Sequence, residues 1–176
     1  MASLLIAQIH ETPTMAVLVV TGGGAQAVAD LLAVPGASRT LLEALVPYSD
    51  TSLTEFLGSS STQAVSTETA AALAQAAYRR AVVLREHDAV PVIGLACTAT
   101  LVTDRPKKGD HRAHIGLCTH ERTRVYSVTL HKGARDRQAE ERLVSDLLLR
   151  VCAEGCGLSL TEPLSLLPGE HVTVHP

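Results

Sequence analysis

The chain has 176 residues, 46% of them hydrophobic but only 2% aromatic, and a formal net charge of -3. Such a composition excludes a disordered chain and is enough for one domain whose core is built from Ala, Val, Leu and Ile. With no Trp, one Phe and no long basic run, the chain lacks the stacking platform and the phosphate-tracking surface of a nucleic-acid binder.

In chain order, residues 2–11 read as a short helix or an extended lead-in ended by Pro13. They carry no basic segment ahead of the apolar run, which argues against a secretory signal. Met15 to Val20 is a continuous apolar run, as expected of a strand buried on both faces. Thr21-Gly22-Gly23-Gly24 follows, then a helical pattern over 25–33 with Val28, Leu31 and Leu32 on one face. Pro35-Gly36-Ala37-Ser38 is a turn. Leu41 to Val46 reads as helix or strand, and Ser49-Asp50 caps a helix over 51–57 that Gly58 stops.

Ser66 opens the clearest helix, an alanine-rich one over 67–86. Val90 to Ala96 is a second buried strand, and Cys97-Thr98-Ala99-Thr100 is expected as a loop after it. Ala113–Cys118 and Arg124–Leu130 form an antiparallel pair around His120-Glu121-Arg122. Residues 140–153 make a second long helix, and 157–176 a loosely patterned tail with an edge strand near 171–175. Strands and helices alternate and a hairpin follows, which predicts an α/β domain with a mixed sheet between helices. No apolar run approaches the roughly 20 residues that span a bilayer, so no membrane partner is expected.

Four segments have chemistry to offer. Backbone amides at a helix start bind anions, and Gly22, Gly23 and Gly24 let one approach; a tight strand–helix turn explains them equally. The hydroxyls of Thr98 and Thr100, the Cys97 thiol and the cations of 103–109 suit a phosphate or carboxylate, or are a solvated loop. Arg135 and Arg137, just before a helix, suit a phosphate or are surface charge. His111, His114, Cys118 and His120 resemble zinc ligands, but His114 and Cys118 would be about 13 Å apart along a strand. No metal and no other cofactor is expected. The four cysteines, Cys97, Cys118, Cys152 and Cys156, read as reduced thiols of a cytoplasmic protein.

Taken in order, Val34-Pro35-Gly36-Ala37-Ser38-Arg39, Val46-Pro47-Tyr48-Ser49-Asp50, Ala64-Val65-Ser66-Thr67-Glu68-Thr69-Ala70 and Gly133-Ala134-Arg135 resemble the PGSSR, VAYSN, GAVSEETA and GDR segments of the CinA C-terminal domain family. The resemblance spans roughly residues 15–155. It implies a three-layer α/β sandwich, self-association, and deamidation of nicotinamide mononucleotide or a similar nucleotide. Thr21 stands at the place of the family's serine nucleophile, and Leu53 at the place of the lysine that assists it. The glycine-rich GIAGP loop has become Thr98-Ala99-Thr100-Leu101-Val102.

The resemblance therefore implies Thr21 as nucleophile or substrate ligand, with Tyr48 and Ser49 positioning the substrate or relaying protons. Arg135 and Arg39 would hold the phosphate, and Gly22, Gly23, Gly24, Ser38, Cys97 and Thr98 complete the substrate-binding set. Thr21, Tyr48, Cys97 and Arg135 are expected to line one pocket. The alternative is a nucleotide-binding or scaffold module that has lost the catalytic pair.

Overall fold

The structure is a computed structural model that describes residues 2–60 and 63–176. A six-stranded mixed sheet runs in the order β2-β1-β3-β4-β5-β6. Its strands are β1 (Met15–Thr21), β2 (Leu41–Leu45), β3 (Val92–Thr100), β4 (His111–Cys118), β5 (Thr123–Leu130) and β6 (Val172–His175). The first three are parallel and the rest antiparallel. Helices α1 (Ala2–Glu11), α2 (Ala25–Ala33) and α5 (Arg137–Gly155) cover one face, while α3 (Asp50–Leu57) and α4 (Thr67–Leu84) cover the other.

The lead-in resolves as helix because it has a core to enter. Ile6 and Ile9 are buried. The His10 imidazole is anchored at both nitrogens, 2.7 Å from Thr40 Oγ1 and 3.0 Å from the Leu31 carbonyl. Residues 41–45 resolve as an edge strand beside β1.

An aromatic-poor core demands close backbone approach, and α4 shows how it is met. Its sheet-facing residues include Ala70, Ala74, Ala77 and Ala81, all fully buried. Opposite them stand two glycines. A Cβ on Gly94 would lie 2.2 Å from the Ala74 carbonyl oxygen, and one on Gly116 would lie 2.3 Å from that of Ala70. The helix backbone therefore rests directly on β3 and β4.

The end of β3 differs from expectation. Cys97 to Thr100 is strand, because each residue is paired on at least one side: Cys97 and Thr98 with Val20 and Thr21 of β1, and all four with Ile115 to Arg112 of β4. The loop begins four residues later than its polar composition suggested.

Candidate functional site

Ligands of open α/β sheets gather at the carboxyl ends of the parallel strands. At that edge Thr21 lies beside Thr98, Thr98 faces His114, His114 faces Ser127, and Ser127 faces Thr173. Directly paired residues share a sheet face, so five polar side chains cross five strands in one row. Val17 and Val19, of the same parity as Thr21, pack in the cluster under α4, which fixes the face. The next row outward pairs Thr100 with Arg112 and Arg112 with Thr129.

The start of α4 closes over these rows. Thr98 Oγ1 donates to the Ala64 carbonyl at 2.6 Å, and Arg112 Nη2 donates to that of Val65 at 3.1 Å. Lys107 folds back from the loop after β3, donating to Thr100 Oγ1 at 2.6 Å and to the Leu101 carbonyl. Burial pushes the Lys107 ammonium below its ordinary pKa, with Arg137, Lys132 and Arg112 adding to the effect and Glu140 opposing it. Burial likewise lowers His114, helped by Arg112 and His175 against the attraction of Glu68. The edge thus presents two cations, an imidazole that is neutral at physiological pH, and a set of hydroxyls.

The three glycines beside Thr21 have a different occupant from the expected ligand. Glu141 of α5 accepts from Gly24 N at 3.1 Å and from Gln26 N at 3.0 Å. The anion at the α2 start is the protein's own carboxylate. A Cβ on Gly22 would lie 1.9 Å from the Ala99 carbonyl oxygen, and Gly22 has a φ of 77. One on Gly24 would lie 3.1 Å from Cys97 Sγ. Close approach of backbone to β3 and to Glu141 accounts for all three.

No family model matches the chain, and no curated protein matches it. Solved structures do. A competence/damage-inducible protein from Agrobacterium tumefaciens superposes with a TM-score of 0.68 at 17% identity, covering 88% of this chain and 94% of its own. A CinA-superfamily protein from Escherichia coli gives 0.59 at 16% identity, covering 88% and 85%. A competence or damage-inducible protein from Enterobacter asburiae gives 0.62 at 15% identity, covering 89% and 94%. The chain has the CinA-superfamily fold.

On this CinA fold the residues expected at the site are dispersed. Thr21 is nearly covered at 8% exposure, and among the described residues its hydroxyl has no hydrogen-bond partner. Tyr48 is 68% exposed. Ser49 is the N-cap of α3, its Oγ accepting from Ser52 N at 3.2 Å. Leu53 is buried at 4% exposure under α3. Ser38 lies exposed in a 3-10 turn over Ala37–Arg39, and Arg39 Nε donates to the His10 carbonyl at 2.9 Å.

Cys97 is fully buried in the cluster of the opposite face, where burial and Glu141 push its thiol up. Arg135 is engaged by both oxygens of Glu170, each at 2.7 Å. The expected pocket of Thr21, Tyr48, Cys97 and Arg135 is therefore corrected: Cys97 and Thr21 occupy opposite faces of the sheet, and both arms of Arg135 are taken.

Of the expected set, Thr21 and Thr98 are brought together. Arg112 and Ser127, which were not expected, join them, together with His114, a residue the sequence offered as a zinc ligand. Their signal was the alternation of polar residues at 112 and 114 and at 127 and 129 on paired strands. His111, another of the zinc-like residues, points to the other face, its Nδ1 2.6 Å from the fully buried Glu140 carboxylate. Among the described residues no three His, Cys, Asp or Glu side chains converge to hold a metal, and no helix is long and apolar enough to cross a membrane.

Proposed function

We propose that this chain is a binding module on the CinA fold that holds a small anionic nucleotide, such as nicotinamide mononucleotide, without hydrolysing it. The observation that carries the proposal is one juxtaposition. The Thr21 hydroxyl lies beside Thr98, one row in from Thr100, on which Lys107 Nζ rests and which faces Arg112, while among the described residues no base hydrogen-bonds Thr21. Cations at that edge suit a phosphate. Amide hydrolysis needs a base to take the hydroxyl proton, and Leu53 cannot supply one. It also needs donors for the developing oxyanion, and at the α2 start the Gly24 and Gln26 amides are engaged by Glu141.

Calorimetry with nicotinamide mononucleotide, run beside an ammonia assay, tests the proposal. Saturable binding with no ammonia release is the expected result. Ammonia release that Thr21→Ala abolishes would instead make the chain an amidohydrolase, and absence of binding to any nucleotide would leave the resemblance one of fold. We also propose self-association, from the resemblance, and a cytoplasmic location, from the cysteines read as reduced thiols; sedimentation giving a dimer or larger species checks the former.

A further inference from the structure

Two and three strands from Thr21, the same row holds a pair that the nucleotide proposal does not use. Ser127 Oγ and His114 Nδ1 lie 2.7 Å apart on facing residues of β5 and β4. Both residues are half-buried. Ser127 borders an open cleft of about 230 Å³, walled by Thr129, His131, Thr173 and His175.

A hydroxyl in hydrogen-bond contact with a neutral imidazole is the arrangement from which a proton passes as oxygen attacks a carbonyl carbon. Burial, Arg112 and His175 hold His114 in its neutral form, and Glu68, in the first turn of α4, attracts its cation. Arg112, two residues before His114 on the same face, is diagonal to Ser127 across the β4–β5 ladder. Diagonal neighbours are within reach of a long side chain, so Arg112, whose Nη2 rests on the Val65 carbonyl, is the cation that can swing toward an oxyanion formed at Ser127.

We propose that Ser127 and His114 form a nucleophile–base pair that hydrolyses short polar carboxylic esters, with the acyl group held in the cleft beside β6. The Ser127 Oγ–carbon bond forms as the hydroxyl proton moves to His114 Nδ1, and the carbonyl oxygen becomes an oxyanion facing Arg112. The ester C–O bond then breaks, and the alcohol leaves with the proton from His114. Water adds to the acyl-serine, giving its proton to His114, and the carboxylic acid departs as Ser127 recovers its hydrogen. An ester suits the site better than an amide. Glu68, the acid whose charge acts on His114, is exposed, so the imidazolium has weak support and an alcohol is the easier leaving group. A cleft lined by hydroxyls and imidazoles favours a polar acyl group.

The test is covalent labelling of the full chain with a fluorophosphonate probe, read by peptide mass spectrometry with no nucleotide present, so it stands apart from the nucleotide proposal. Label is expected on Ser127 and absent from Ser127→Ala. His114→Gln can still hydrogen-bond Ser127 but takes no proton, so labelling should slow by about 10²–10⁴-fold. Hydrolysis of p-nitrophenyl acetate should fall in parallel. In wild type its rate should rise with pH as His114 loses its proton, then level. Failure of folded wild-type protein to label, label on another residue, or equal labelling of His114→Gln would overturn the proposal. The wild-type result decides even where a variant folds poorly.

Discussion

Arg135 and Glu170 meet in a bidentate ion pair, Nη1 to Oε1 and Nη2 to Oε2 each at 2.7 Å, that ties the C-terminal tail to the loop before α5. The Glu170 carboxylate also accepts from the His131 and Leu167 amides at 2.8 and 2.9 Å. Its side chain is fully covered. Arg135 foremost, then the two amides, hold its pKa down to about 2 against the opposing effect of burial.

Glu170→Gln should therefore cost about 3–5 kcal/mol at neutral pH, because it strands a covered guanidinium. The pH dependence follows from the depressed pKa. The contribution is complete above the ordinary value of 4.5 and is lost as pH falls from there through about 2. Urea denaturation of wild type and Glu170→Gln should give curves that converge at the acid end of that window.

The strand–helix loop gives a second prediction. Gly22→Ala meets the Ala99 carbonyl at 1.9 Å with φ at 77, so it should destabilise by about 3 kcal/mol or more. Glu141→Ala strips the Gly24 and Gln26 amides of their partner and should cost about 1–3 kcal/mol. The two sites share one loop, so the double variant should lose less than the sum of the single losses. Thermal denaturation of the three variants checks the order and the non-additivity.

Legibility in the sequence divides along contact distance. The strand at Met15 to Val20 and the helix opened by Ser66 were visible because periodicity and caps are local. The hairpin partners were visible because a short turn joins them. Glu141 reaching Gly24 across 117 positions, and Glu170 reaching Arg135 across 35, leave no local trace. Either glutamate reads as surface charge. For the same reason Arg135, one of two arginines just before a helix, suggested a phosphate when its counter-ion lay in a tail without pattern. The row through His114 escaped for a different cause: its members become neighbours only once strand order and register are known.

Ligand affinity should report the cations and Thr21 separately. Arg112→Gln removes a charge-assisted donor and should weaken nucleotide binding by about 1.5–3 kcal/mol. Thr21→Ala removes one neutral hydrogen bond and should cost about 0.5–1.5 kcal/mol. Calorimetry in which Thr21→Ala costs more than Arg112→Gln would contradict a phosphate-led site.

The thiols should differ in reactivity. Cys97, Cys118 and Cys152 are buried, and Cys156, the C-cap of α5, is partly exposed. Hydrogen bonding from the Cys152 thiol, and to a lesser degree from Thr12, lowers the pKa of Cys156, while burial opposes it. A disulfide reagent should modify one thiol per native chain, at Cys156, and reach the other three only with unfolding. Peptide mapping after a short exposure identifies the position.

The bare glycines at 94 and 116, with α4 backbone seated on them, also determine how this protein can change. A cleft roofed by a helix standing on side chains is enlarged by trimming a side chain. Here the roof stands on main chain, so nothing is available to trim. The span between α4 and the sheet has a minimum that substitution can only raise, at position 116 most directly, by lifting the helix as a rigid lever. New ligand preferences in such a fold would come from its rim, through exchanges such as those at Arg112, Lys107 and Glu68, while the span between helix and sheet stays constant.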